Sequence, residues 1–216
     1  MNLVNYDALL FDWDGTLARS LELWLDEIYK QHIAYGLKVS RAENARGFGD
    51  LSTPLRRGLP PEKYDQFQTE INERVQQRLP DVPLYDDAGA MLRALKKAGK
   101  KLALITTSTH KSMHLVMGRH DVEHLFDVII TAEDVQSHKP DPEGINVAIE
   151  RLGVEKKRAI MLGDNNKDLL AAKNAGIDSV LFYPPAHEII YTLQELEAHG
   201  PRYTIRAWQE LLDQLQ

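Results

Sequence analysis

The sequence predicts an α/β chain, a doubly wound parallel sheet interrupted early by a helical insertion. Three observations carry that prediction. Short apolar runs without polar alternation recur along the chain, helical patterns separate them, and one long stretch after the first run holds helical patterns only. Unalternating apolar runs read as strands buried on both faces, the habit of parallel sheets. Strands alternating with helices then require crossover units.

Taken in order, the first strand is Ala8-Leu9-Leu10-Phe11, which stops at Asp12. Residues 18–82 follow, with one stripe of Leu21, Trp24, Leu25, Ile28 and Tyr29 and another of Tyr64, Phe67, Ile71 and Val75. Those stripes have helical spacing, and Trp24 and Tyr29 read as core. Prolines at 80 and 83 mark the far boundary of the insertion. A helix over about 87–98 leads to Leu102-Ala103-Leu104-Ile105, and a helix over 110–119 to Val128-Ile129-Ile130. Helix 142–152 precedes Ala159-Ile160-Met161-Leu162, and helix 166–175 precedes Val180-Leu181-Phe182-Tyr183. Gly99, Gly153 and Gly176 fit the position just past a helix end. From His187 onward, two helices flank a short Tyr203-Thr204-Ile205 strand. The division is therefore a core of 1–17 and 83–216 with an insertion of 18–82, which suits a 216-residue chain at roughly 150 residues per domain.

Composition narrows the function classes. The formal net charge is −6, and the chain has no cysteine. An acidic balance argues against a nucleic-acid binder or an anionic-membrane binder. The lack of cysteine removes thiol nucleophiles and thiolate metal sites. The segment MNLVNYDALLFDWDG lacks a basic leader, and no run reaches the roughly 18 apolar residues of a spanning helix. The expectation is a cytoplasmic monomer or homodimer acting on a small molecule.

In an open α/β sheet, ligands bind beyond the carboxyl ends of the strands. There the sequence sets Asp12, Asp14, Thr106, Lys139, Asp164 and Asp168. Four carboxylates with one lysine repel one another unless a hard cation joins them, and an all-oxygen donor set suits Mg²⁺. A cation and Lys139 together would attract a phosphate group. Metal-assisted phosphoryl chemistry is the reading.

Four motifs give that reading a family. Asp12-Trp13-Asp14-Gly15-Thr16-Leu17, Thr106, Lys139-Pro140-Asp141-Pro142 and Gly163-Asp164-Asn165-Asn166-Lys167-Asp168 stand in order at successive strand ends. Singly, each is an ordinary turn or cap. Together they resemble the haloacid dehalogenase superfamily, over the whole chain, and most nearly its phosphoglycolate-phosphatase-like members. The resemblance implies a Rossmann-like core and makes 18–82 a small helical cap of the C1 type.

It also implies roles. Asp12 would be the nucleophile of an aspartyl-phosphate mechanism, and Asp14 the acid and then the base. Thr106 and Lys139 would hold phosphoryl oxygens. Asp12, Asp14 (through its carbonyl), Asp164 and Asp168 would form the Mg²⁺ site, with Asp168 holding a water there or orienting Lys139. Thr107, Asn165 and, in the cap, Arg46 would bind substrate; Arg46 would pair with a carboxylate, with Arg56 and Arg57 as rivals. Position 19 is Arg where many members carry Asp, which bears on substrate identity. The expected reaction is Mg²⁺-dependent hydrolysis of a small phosphate monoester. The alternatives are a phosphotransferase or phosphomutase on the same fold, or a non-catalytic phospho-ligand binder. The pairs His110/His114 and His120/His124 have zinc spacing but no third ligand, and read as exposed helix histidines.

Overall fold

The computed structural model describes residues 3–214. Met1 and Asn2, which begin the segment read as lacking a leader, lie outside them. Six strands form one parallel sheet: β1 (Ala8–Phe11), β2 (Lys101–Ile105), β3 (Val128–Ile130), β4 (Ala159–Gly163), β5 (Asp178–Phe182) and β6 (Tyr203–Ile205). Their order is β3-β2-β1-β4-β5-β6. Leu10 sits at the centre, opposite Ala103 on one side and Met161 on the other. The order grows outward one way through β3, then restarts on the other side of β1 at β4. That reversal leaves a crevice between the carboxyl ends of β1 and β4.

Alternate side chains of each strand enter opposite layers. Leu9 and Phe11 join one core, while Ala8 and Leu10 join the other. Helices α1 (Ser20–Ala34), α2 (Arg41–Arg46), α3 (Thr53–Arg56) and α4 (Tyr64–Arg78) follow β1, and no strand lies among them. Phe67, Ile71 and Val75 of α4 belong to the same core as Leu9 and Phe11. Helices α5 (Ala88–Lys97), α6 (His110–His120), α7 (Glu143–Leu152) and α8 (Asn166–Ala175) connect the later strands. The short α9 (Leu193–Glu197) and α10 (Gln209–Leu212) flank β6 as expected. Near the chain's end Trp208 stacks on Phe182, centroids 4.4 Å apart, and donates its indole N–H to the Thr16 carbonyl at 3.2 Å. The far end of the chain thus braces the turn that follows β1.

Helix α1 departs from the expected stripe. It packs against both α2 and α4, so Leu21, Leu23, Leu25 and Glu27 are all buried. Tyr29 is only half-buried and lies under the Arg41 guanidinium, 4.4 Å away. Trp24 is half-buried as well, packing against the core on one side and lining a cleft on the other. The paired histidines make carboxylate or carbonyl contacts instead of meeting a common ligand. His110 meets Asp134, His114 meets Glu123, His124 meets Asp121, and His120 contacts the Val82 carbonyl. No described helix is long and apolar enough to cross a membrane.

Candidate active site

The crevice between β1 and β4 collects most of the residues that the sequence singles out. Asp12 is the first residue beyond β1, and its N–H still donates to the Leu162 carbonyl of β4 at 2.9 Å. The chain then turns sharply at Gly15, whose φ of +81° suits glycine. A Cβ at Gly15 would lie 2.6 Å from Asp164 Oδ2, so close packing also excludes a side chain there. Gly163 ends β4 under the same constraint. A Cβ on it would stand 2.3 Å from that of Asp168.

Asp12 is 4% exposed, while Asp164 and Asp168 are fully buried. One carboxylate oxygen from each lies within 4.8 Å of the others. Lys139 reaches into this group, donating to Asp12 Oδ1 at 2.5 Å, Asp168 Oδ1 at 2.6 Å and the Ile105 carbonyl at 3.0 Å. Asp168 also works on the backbone. Its Oδ2 accepts the N–H groups of Asp164 at 3.2 Å and Asn165 at 3.4 Å, at the start of α8. That placement fixes both Lys139 and the helix that carries Asp168 itself.

Burial pushes the Asp12 carboxyl up to about 7, against the Lys139 ammonium that pulls it down, and the neighbouring carboxylates Asp168 and Asp14 push the same way as burial. Burial, then Asp168 and Asp12, likewise hold Asp164 well above the ordinary aspartate range. Lys139 is raised, because Asp12 and Asp168 outweigh the burial that opposes its charge. Three buried carboxylates around one ammonium therefore lack positive charge. The donor set is all oxygen, which fits a hard divalent cation such as Mg²⁺. Thr16 marks where two of the carboxylates converge, its hydroxyl 3.4 Å from both Asp12 Oδ2 and Asp164 Oδ1.

Asp14 stands apart from that triad. Ser20 donates to its Oδ1 at 2.5 Å and Ser108 to its Oδ2 at 2.8 Å, so both carboxylate oxygens are held. A cleft of about 520 Å³ opens over the group, lined by Asp12, Asp14, Thr107, Ser108, Lys139 and Asn165 among others. Trp24 and Phe48 form its apolar side, and Lys167 adds a second ammonium. Thr106 is buried just behind, its hydroxyl accepting the Ser108 N–H at 3.0 Å. Arg46 is exposed and does not line the cleft. Its rivals are engaged elsewhere, Arg56 with Asp50, and Arg57 with Glu43 and the Lys38 carbonyl.

Sequence reasoning missed Ser20, Ser108 and Thr16 as partners of the carboxylates. Thr16 lies only four residues beyond the strand-end Asp12, and a hydroxyl within that turn is a usable local signal. Nothing local links Ser108 to Asp14, which lies 94 residues earlier.

The chain is similar to known proteins over nearly its whole length. Residues 9–182 match the family described as haloacid dehalogenase-like hydrolase. The chain is 31% identical over 214 residues to pyrophosphatase PpaX of Bacillus velezensis, covering 95% of this chain and 94% of that one. Its counterpart in Halalkalibacterium halodurans is 29% identical over 211 residues, with 96% and 95% covered. Among solved structures, CbbY from Rhodobacter sphaeroides in complex with phosphate superposes with a TM-score of 0.72 at 26% identity, over 97% of this chain and 99% of that one.

Proposed function

The chain belongs to the haloacid dehalogenase-like hydrolases and is a phosphatase, and we propose that it hydrolyses small phosphate monoesters with Mg²⁺ through a phosphorylated Asp12. The observation that carries this reading is the buried Asp12–Lys139–Asp168 contact beside Asp164 at the open end of the sheet. A binding protein would gain nothing from a desolvated nucleophile next to a second, hydrogen-bonded carboxyl.

Asp12, Asp164 and Asp168 would hold the cation, together with the Asp14 carbonyl. Bound there, Mg²⁺ supplies positive charge against the phosphoryl oxygens and the carboxylates. The chain's own groups do the rest. An Asp12 oxygen attacks phosphorus in line, forming the O–P bond as the bond to the leaving oxygen breaks. Asp14, held by Ser20 and Ser108, gives its proton to that leaving oxygen. It then takes a proton from water as the water attacks phosphorus, and the Asp12–phosphorus bond breaks. Lys139 balances charge on the phosphoryl oxygens, and Thr107 and Asn165 line the space they enter. Residues 18–82 act as the cap, presenting Trp24 and Phe48 to the substrate and excluding water.

Phosphoglycolate is the substrate type first expected. Inorganic pyrophosphate is the second, favoured by the relatives named pyrophosphatase and by a cleft whose second cation is Lys167 rather than an arginine. A phosphate-release screen over phosphorylated metabolites, with phosphoglycolate and pyrophosphate included, tests the proposal. Mg²⁺-dependent turnover that EDTA abolishes is expected. Turnover undiminished by EDTA, or none on any phosphate compound, overturns it.

A further inference from the structure

His187 lies in the short turn Pro185–Ile189 beyond β5, outside all four motifs, and is 1% exposed. The rings of Tyr85, Phe182, Tyr183 and Tyr191 surround it edge-on, with centroids 5.9–6.5 Å away. Its Nε2 is 2.8 Å from the Tyr85 hydroxyl. Its Nδ1 is buried without a hydrogen-bond partner, and it faces Asp164 Oδ2 at 3.8 Å. That oxygen is also buried and also unpartnered.

Two such atoms facing each other are complementary when the imidazole carries its proton on Nδ1. The Tyr85 hydroxyl favours that tautomer by donating to Nε2, which must then be the unprotonated nitrogen. A shift of about 1 Å would bring Nδ1–H and Oδ2 to charge-assisted hydrogen-bond distance. Asp164's other oxygen is differently placed, accepting from the Asn165 amide at 2.9 Å and sharing the Thr16 hydroxyl with Asp12. Oδ1 thus faces the carboxylate cluster while Oδ2 faces back towards the imidazole. Tyr85 is itself anchored where the chain returns from the helical insertion, its N–H donating to the Leu17 carbonyl at 2.9 Å.

We infer that His187 is a positioning residue for Asp164. Its Nδ1–H fixes Oδ2 so that Oδ1 is presented to the cation, and the Tyr85 hydroxyl sets the tautomer. This inference rests on the divalent-cation reading of the site. Partners of this kind change metal affinity by about 10- to 100-fold when removed.

The test is calorimetric titration of the metal-free full chain with Mg²⁺ alone, alongside thermal melts in metal-free buffer. Wild type, Asp164→Asn, His187→Leu, His187→Asn and Tyr85→Phe are compared. His187→Leu is expected to weaken Mg²⁺ binding by about 10-fold or more. His187→Asn, whose amide nitrogen can stand near the Nδ1 position, should keep most of the affinity although its metal-free Tm falls as well. Tyr85→Phe should weaken binding in the same direction by less. A purely structural role would lower Tm in both His187 variants without separating their Mg²⁺ affinities, and that result overturns the inference. Wild-type affinity in Tyr85→Phe overturns it too, and decides the matter if His187→Leu does not fold. If wild type and Asp164→Asn bind Mg²⁺ equally, the cation reading itself fails and takes this inference with it.

Discussion

Replacing Lys139 by Met should damage stability and turnover together, with an unusual pH signature. The ammonium touches Asp12 at 2.5 Å and Asp168 at 2.6 Å, all three side chains being at most 7% exposed. Methionine preserves the stem and leaves two buried carboxylates without their cation. Breaking a buried pair in this way costs about 3–5 kcal/mol. At about 2–4 °C per kcal/mol for a chain of this length, Tm should fall by roughly 6–20 °C. Lost stabilisation of the phosphoryl oxygens should lower kcat/KM by about 10²-fold or more, by analogy with an oxyanion donor. The folded variant relieves its excess charge by keeping a proton on Asp12, whose carboxyl burial already pushes up to about 7. Unfolded, the same group titrates near its ordinary 3.8. Wild type shares that proton below about pH 7. Losing Lys139, which pulls Asp12 down, pushes the variant's carboxyl higher still, so above about pH 7 the variant alone gains stability as pH falls, by up to about 1.4 kcal/mol per unit. Urea unfolding of both proteins from pH 8 to pH 5 measures this. The deficit of the variant should shrink on acidification. A deficit below about 1 kcal/mol at pH 8, or one that grows as pH falls, refutes the placement of Lys139 as the counter-charge.

Other expectations are narrower. Gly163→Ala forces a Cβ against the pinned Asp168 side chain, and overpacking of this kind costs about 1–3 kcal/mol; an unchanged denaturation midpoint would show that Asp168 is free to move. Burial alone would raise Glu27, but hydrogen bonds from Lys30, Arg74 and Arg78 outweigh it and hold its carboxyl below 4.5. Its stabilising charge is therefore present above about pH 4.5 and lost as pH falls further, so Glu27→Gln should flatten the acid limb of the stability profile. Lys167→Ala should raise KM about 10-fold or more for a doubly anionic substrate, whereas Arg46→Ala should leave KM unchanged; steady-state kinetics on the best substrate of the screen checks both.

The core was legible because parallel strands buried on both faces announce themselves locally. Ala8–Phe11 and Val128–Ile130 are bounded in the structure as their apolar runs are. The carboxylates and Lys139 were legible because each follows such a run, and strand order brings the run ends together. Helix α1 was misread in part because α2 and α4 pack on two of its sides, so burial there does not follow one stripe. Arg46 looked attractive beside Phe48, yet only Phe48 and Gly49 of that segment line the cleft. His187 and Tyr85 carry no local sign of their meeting, since 102 residues separate them and neither ends a strand.

The most direct measurement is phosphate release by Asp12→Asn under Mg²⁺, with a melt to verify the fold. An amide keeps the shape of the carboxylate and removes the nucleophile. The account predicts turnover at least about 10³-fold below wild type in a folded protein. Release at more than about a tenth of the wild-type rate would contradict a phosphorylated Asp12.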